Sequence, residues 1–380
     1  DGSGIEVPYD ASHNEDSFSV SMWVDASSTS SYQPLVNSLT SSAGPLSWTT
    51  TELATLSANS GWSHGSDRLG QSVAIDGSYA IAGAYTAGQG EAYIYDITNA
   101  SGNMTQLATL RASDRDYYDY FGQSVAISGS YAIVGAHGED GPSNNLSKSG
   151  AAYIFDITNA SGVINPIARL RPSDAGRGAD DEFGISVAIS GNYAIVGANR
   201  EDGPSNNDNN PGAAYIFDLT TTSAEMIPIA RLRPADIDDW DKFGTSVAID
   251  GSYAIVGSTG DDTPSLDNTG AAFVFDITDA SGEMNPIAIL RASESDRTGG
   301  DQLGYSVAIS GNYVIAGAKF EDGPSDNVSN SGAAYIFDIT NASGEMNPIA
   351  ILRASNAGAD DEFGWSVAIS GTYAIVGAFR

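Results

Sequence analysis

A chain of 380 residues with 48 acidic and 16 basic side chains carries a net charge of −32, which repels nucleic acid and anionic membranes and favours cations. Cysteine is absent, so neither a disulfide framework nor thiol chemistry is available. No apolar run approaches the roughly 18 residues of a membrane-spanning helix, so membrane insertion is not expected. The chain opens at Asp1 without a Met or a signal-peptide pattern, which is expected of a processed or partial chain.

In chain order, the first strand signal is residues 17–25, Ser-Phe-Ser-Val-Ser-Met-Trp-Val-Asp, which alternates polar and apolar with period two. Residues 52–56, Glu-Leu-Ala-Thr-Leu, then match residues 106–110, Gln-Leu-Ala-Thr-Leu. From here one unit recurs to the end of the chain. Its marker is a Phe-Gly or Leu-Gly pair, followed one residue later by Ser-Val-Ala-Ile. The glycines of the pairs are Gly70, Gly122, Gly184, Gly244, Gly304 and Gly364, spaced 52, 62, 60, 60 and 60 apart. Such a period marks an array or a propeller.

The unit beginning at Phe183 reads as four strands. Ser186-Val187-Ala188-Ile189 is followed by the turn Ser190-Gly191-Asn192 and the run 193–198. A polar loop leads to the run 212–218, and a second polar segment to the run 227–234. Each run is rich in Val, Ile, Tyr or Phe and bounded by turn residues, and no stretch keeps a helical period. Four strands per repeat is the arithmetic of a propeller blade. A glycine at the first turn (Gly77, Gly129, Gly191, Gly251, Gly311, Gly371) recurs in all six units, where a two-residue hairpin needs positive φ.

The Phe-Gly, then Val-Gly-Ala, then Gly-Ala-Ala-Tyr-Ile-Phe pattern over residues 52–380 resembles the FG-GAP repeat family, whose members resemble the β-propeller of integrin α subunits. The resemblance implies an all-β propeller, usually of seven blades, in an extracellular or surface adhesion module. Six blades of four antiparallel strands are expected here, with seven as the alternative. Integrin-type blades carry a calcium loop, Asp-x-Asp-x-Asp-Gly, between their first two strands. That connection is only Ser-Gly-Asn or Asp-Gly-Ser here, so those ligands do not carry over.

In an up-and-down blade, loops between strands two and three share a face with the links from strand four to the next blade. Those two loop classes hold 29 of the 48 acidic residues, so one acidic and one nearly neutral face are expected. Clustered carboxylates with Asn and backbone carbonyls can supply the six to eight oxygens of calcium. The densest link holds Asp236, Asp238, Asp239 and Asp241; Asp174 with Asp180 and Asp181, Asp296 with Asp301, and Asp360 give looser candidates. None has EF-hand spacing. A solvated acidic surface, partly answered by Arg111, Arg171, Arg233, Arg291 and Arg353 on strand four, is the competing reading. Those arginines are expected to pair with Asp of the adjoining loop.

Sequons at Asn99, Asn103, Asn145, Asn159, Asn327 and Asn341 fall in loops, where Asn-Ala-Ser-Gly is also ordinary turn chemistry. Tyr215 with Phe217, and Tyr153 with Phe155, read as packing residues. Trp240, in an acidic link, is a candidate for stacking on a sugar. His13, His64 and His137 lie in unrelated contexts and form no triad or metal pattern.

Counting strands exposes a shortage of one third strand, because the sixth unit stops after its second. Residues 17–25 are expected to fill it, joining the termini, or to be donated to a neighbouring molecule as an added strand. The domain reading is therefore residues 1–50 as an N-terminal strand segment and residues 51–380 as the propeller. The segment also weakly resembles the opening strand of a laminin-G or concanavalin-like lectin domain. The expected role is a non-enzymatic extracellular or cell-surface module for adhesion or structure, stabilised by calcium, meeting a protein or glycan ligand. The alternatives are a self-assembling extracellular filament subunit and a carbohydrate-active enzyme.

Overall fold

The computed structural model describes residues 17–24, 33–40, 54–58, 68–86, 88–141, 146–173, 177–202, 209–323 and 327–379. The described residues contain strands and turns and no helix. The third repeat shows the plan. Ser186–Ser190, Tyr193–Ala198, Ala213–Asp218 and Ala230–Leu232 pair antiparallel in sequence order. Four other repeats repeat this order, and the sixth contributes the hairpin Ser366–Ser370 and Tyr373–Gly377. The first strands of successive repeats lie side by side, which makes them the innermost strands of a β-propeller.

The runs are apolar throughout rather than alternating, because each sheet is covered on both faces by its neighbours. Ile195, Ala214 and Ile216 of blade 3 pack with Phe243, Val256, Phe273 and Phe275 of blade 4. Tyr215 and Phe217, on the opposite face of the same strand, pack with Phe183 and with Ile133 and Ile154 of blade 2. Each such large side chain removed from water contributes about 1.5–3 kcal/mol.

The recurring glycines close the seam between blades. A Cβ on Gly197 would overlap the carbonyl oxygen of Gly244 in the next blade, and Gly83, Gly135, Gly257 and Gly317 face Gly122, Gly184, Gly304 and Gly364 in the same way. Gly244 and Gly184 both adopt φ +93°, and the Gly184 N–H reaches Gly197 O of its own strand pair at 2.9 Å. The Ser of each Ser-Val-Ala-Ile run locks this contact. Ser124, Ser186, Ser246 and Ser306 Oγ donate to the carbonyls of Gly184, Gly244, Gly304 and Gly364, each at 2.8 Å.

A fifth strand, absent from the sequence reading, stitches the outer edge. Glu225–Met226, Gly282–Met284 and Gly344–Met346 leave the polar segment of one blade to pair in parallel with the fourth strand of the blade before. These strands are two or three residues long and polar, so they carry no periodicity. The fourth strand is correspondingly shorter than the run 227–234, at Ala230–Leu232.

At the N-terminal end, Ser17–Val24 pairs with Gln33–Thr40, which pairs with Ala54–Ser57. The place beside this fourth-type strand is therefore taken by Gln33–Thr40, not by residues 17–25. The nearer segment wins because sequential strands tend to pair. Ser17–Val24 lies beside the last strand, Tyr373–Gly377. The boundary expected at residue 50, and Asp25, lie outside the described residues.

Candidate functional site

The link entering each blade is laid along the loop between strands two and three of the blade before. Trp240 N–H reaches Asn209 O at 2.7 Å, Asp180 N–H reaches Ser147 O at 2.7 Å and Asp360 N–H reaches Ser329 O at 2.9 Å. The two acid-rich loop classes are thus side by side on one face.

A single aspartate organises every described link. It stands two residues before the Phe-Gly or Leu-Gly pair: Asp119, Asp181, Asp241, Asp301 and Asp361. Each accepts a hydrogen bond from the backbone N–H three residues earlier, at Asp116 (2.6 Å), Gly178, Asp238 (2.8 Å), Thr298 (2.7 Å) and Gly358 (2.6 Å). Asp119 and Asp361 belong to this set although the sequence reading did not group them. The fixed offset from the glycine pair was the signal that would have found them.

Burial raises four of these carboxyls, Asp119 and Asp181 to about 7 and Asp241 and Asp301 to about 6. Asp261, on the neighbouring loop, is likewise pushed to about 7 by burial, which outweighs Arg291 at 2.6 Å. Asp241 is only 5 % exposed, and it feels the negative fields of Asp238, Asp262 and Asp236. One oxygen each of Asp181 and Asp241 is buried without a hydrogen-bond partner.

The other candidates divide into smaller roles. Asp239 and Asp360 receive side-chain amides of Asn209 (3.0 Å) and Asn330 (2.9 Å). Asp296 meets Arg353 at 3.2 Å and is held below its usual range chiefly by the Ser293 hydroxyl. Asp236, Asp238 and Asp180 are exposed. Asp238 and Asp239 border a shallow cavity of about 510 Å³ with Pro211, Arg233 and Ile237. Asp174 lies outside the described residues. Among the described residues, no three acidic or His side chains converge as a metal cluster.

The strand-four arginines are paired, chiefly with buried acids of the second-to-third-strand loops. Arg111 meets Glu91 at 2.6 Å, Arg291 meets Asp261 at 2.6 Å and Arg353 meets Glu321 at 2.5 Å. Arg171 reaches Glu139 at 3.5 Å. Arg233 makes no ion pair among the described residues; its neighbour Arg231 instead bridges Glu201 at 2.5 Å and Glu283 of the next blade at 2.7 Å. Trp240 stands 54 % exposed at φ +71°.

A family model described as FG-GAP repeat matches residues 50–95, 104–155, 165–217, 228–275, 287–337 and 347–380. Among solved structures, the WD40 domain of Toxoplasma gondii coronin is similar at 11 % identity and a TM-score of 0.44, over 77 % of this chain and 60 % of that one. The chain thus spans less than two thirds of that relative's length. No curated protein matches.

Proposed function

From a chain that belongs to the FG-GAP repeat family, we propose a non-enzymatic binding module at the cell surface or outside the cell, for adhesion or structure, stabilised by calcium. The observation that carries this reading is the link 236–241. It sets Asp236, Asp238 and Asp241 against Asp261 and Asp262, and leaves one buried Asp241 oxygen without a hydrogen-bond partner. A divalent ion would supply the missing partner and relieve the mutual repulsion, with loop carbonyls completing an oxygen shell. Asp239, Asp180, Asp181, Asp296, Asp301 and Asp360 would contribute to weaker sites around the same face. The partner is a protein or a glycan. Melting with calcium and with a chelator tests the cation: a higher melting temperature with calcium supports it, and identical curves remove it.

A second reading, assembly into an extracellular filament through donation of the N-terminal strand, is favoured by one observation. Ser17–Val24 is the edge strand of its sheet among the described residues. Such an edge can pair with another copy. Light scattering across a concentration series tests this, and a constant monomer mass counts against it.

A further inference from the structure

Five of the fourth-type strands share one outer partner, and a sixth lacks it among the described residues. Ala54–Ser57, Ala108–Leu110, Ala168–Leu170, Ala230–Leu232 and Ala288–Leu290 each hold a short parallel strand supplied by the blade that follows. Ala350–Leu352 of blade 5 pairs only with Ala333–Asp338 among the described residues. The five incoming segments are alike in chemistry. Each carries Gly or Ala at position 102, 162, 224, 282 or 344 and Met or Ile two residues later, with Glu between them in three.

Met104, Ile164, Met226, Met284 and Met346 each join the apolar cluster under the strand that receives them. The cluster under Ala350–Leu352, built on Ile315, Ala334, Val376 and Leu352, receives no such side chain among the described residues. Exposure follows the difference. Leu290 is 0 % exposed and Ala288 2 %, whereas Leu352 is half-buried and Ala350 exposed. Ile349 stands 61 % exposed against 37 % for its counterpart Ile287. The backbone repeats the pattern. Arg169 and Arg171 N–H donate to Ala224 O at 2.9 Å and Met226 O at 3.2 Å, and Gly282 N–H reaches Ile229 O at 3.0 Å. Ile351, Arg353 and Ile349 hold the matching places in blade 5, with no such bond among the described residues. Charge is matched as well: Glu225 lies 3.8 Å from Arg171 and Glu345 3.8 Å from Arg291, and Arg353 is their counterpart. A strand edge with free ladder groups is a template for another strand.

We propose that Ala350–Leu352 is a docking edge for a partner protein, which adds an extended segment of the form Gly-Glu-Met in parallel. The Ile351 and Arg353 N–H groups and the Ile349 carbonyl take the partner backbone. The cluster around Leu352 takes the Met, and Arg353 meets the Glu. The proposal rests on the binding-module reading above and gives that module a peptide ligand and a place. The test is amide hydrogen exchange of the full chain, followed by NMR, with chelator present. The probe is the synthetic peptide Ala-Ser-Gly-Glu-Met-Asn-Pro, a copy of residues 342–348. In the free chain the Ile351 and Arg353 amides are expected to exchange faster than those of Ile289 and Arg291, and the peptide is expected to protect them. Peptides carrying Met346→Asp or Gly344→Pro are expected to bind about tenfold more weakly, through lost apolar burial or a lost N–H donor. Amides of Ile351 and Arg353 already protected in the free chain would overturn the proposal, because another part of the chain or a second copy then covers the edge. Absence of protection by the peptide, or variants that protect as well as the parent peptide, would overturn it too. The calcium-dependent melt is read separately, so failure here and failure of the module reading are distinguishable.

Discussion

The seam between blades and the mouth of the propeller are built from the same repeat, yet they tolerate opposite things. At the seam, backbone meets backbone: a glycine of one strand pair lies against the Phe-Gly carbonyl of the next blade, and a serine hydroxyl fastens the contact. A side chain at those glycines would collide with the neighbouring backbone, so the glycines recur from unit to unit. At the mouth, where the second strand ends, Tyr85, His137, Asn199, Thr259, Lys319 and Phe379 succeed one another on a frame already fixed, with His137, Thr259 and Lys319 buried. A rigid seam is what allows a varied mouth.

The largest disruption should come from the buried charge behind the seam. Arg231→Leu would leave Glu201, whose side chain is almost fully buried, without its 2.5 Å partner. A loss of about 3–5 kcal/mol in chemical denaturation is expected. Next comes Gly197→Ala, whose methyl group would drive the Gly244 carbonyl away and open the seam; about 3 kcal/mol is expected. Gly191→Ala makes the control, since its φ of +55° is strained for Ala but nothing lies within 4 Å; about 1 kcal/mol is expected. Ser186→Ala, which removes one 2.8 Å hydrogen bond and no backbone contact, should likewise cost about 1 kcal/mol. At the exposed rim, Trp240→Asp restores the residue that Asp180 and Asp360 place at the same left-handed backbone position, so stability should change by less than about 0.5 kcal/mol.

The acidic face adds a dependence on pH. Asp119, Asp181 and Asp261 titrate near 7 in the fold, and Asp241 and Asp301 near 6, against about 3.9 when unfolded. The folded state therefore holds more protons between those limits. Their stabilising effect is complete below pH 4 and disappears as pH rises through 6 to 7. Asp96, Asp156, Asp276 and Asp338 act in reverse, because Thr hydrogen bonds hold them low and that support is lost in stronger acid. Without divalent ions, thermal melts should show a higher melting temperature at pH 5 than at pH 8. A flat or rising profile between those values would break the account of the buried carboxylates.

How much was legible before folding differs between the two regions as well. The strands Tyr193–Ala198 and Ala213–Asp218 stood out because burial on both faces forces a continuous apolar run. The turn glycines stood out because positive φ admits few other residues. Glu225–Met226 did not, since a short polar strand is held by its partner's hydrogen bonds and leaves no pattern of its own. Asp241 was legible as a candidate from charge alone. That it is buried, and capped by the Asp238 N–H, depends on how its link folds back.

By itself the sequence determined the repeat, the four strands of each blade and the acidic loop set, because local propensity and periodicity act on neighbours along the chain. Only the tertiary structure decided which acids are buried, which glutamate each arginine meets, and that Gln33–Thr40 rather than residues 17–25 lies beside Ala54–Ser57. Those outcomes depend on desolvation and on contacts between segments tens of residues apart, and neither is written in local order.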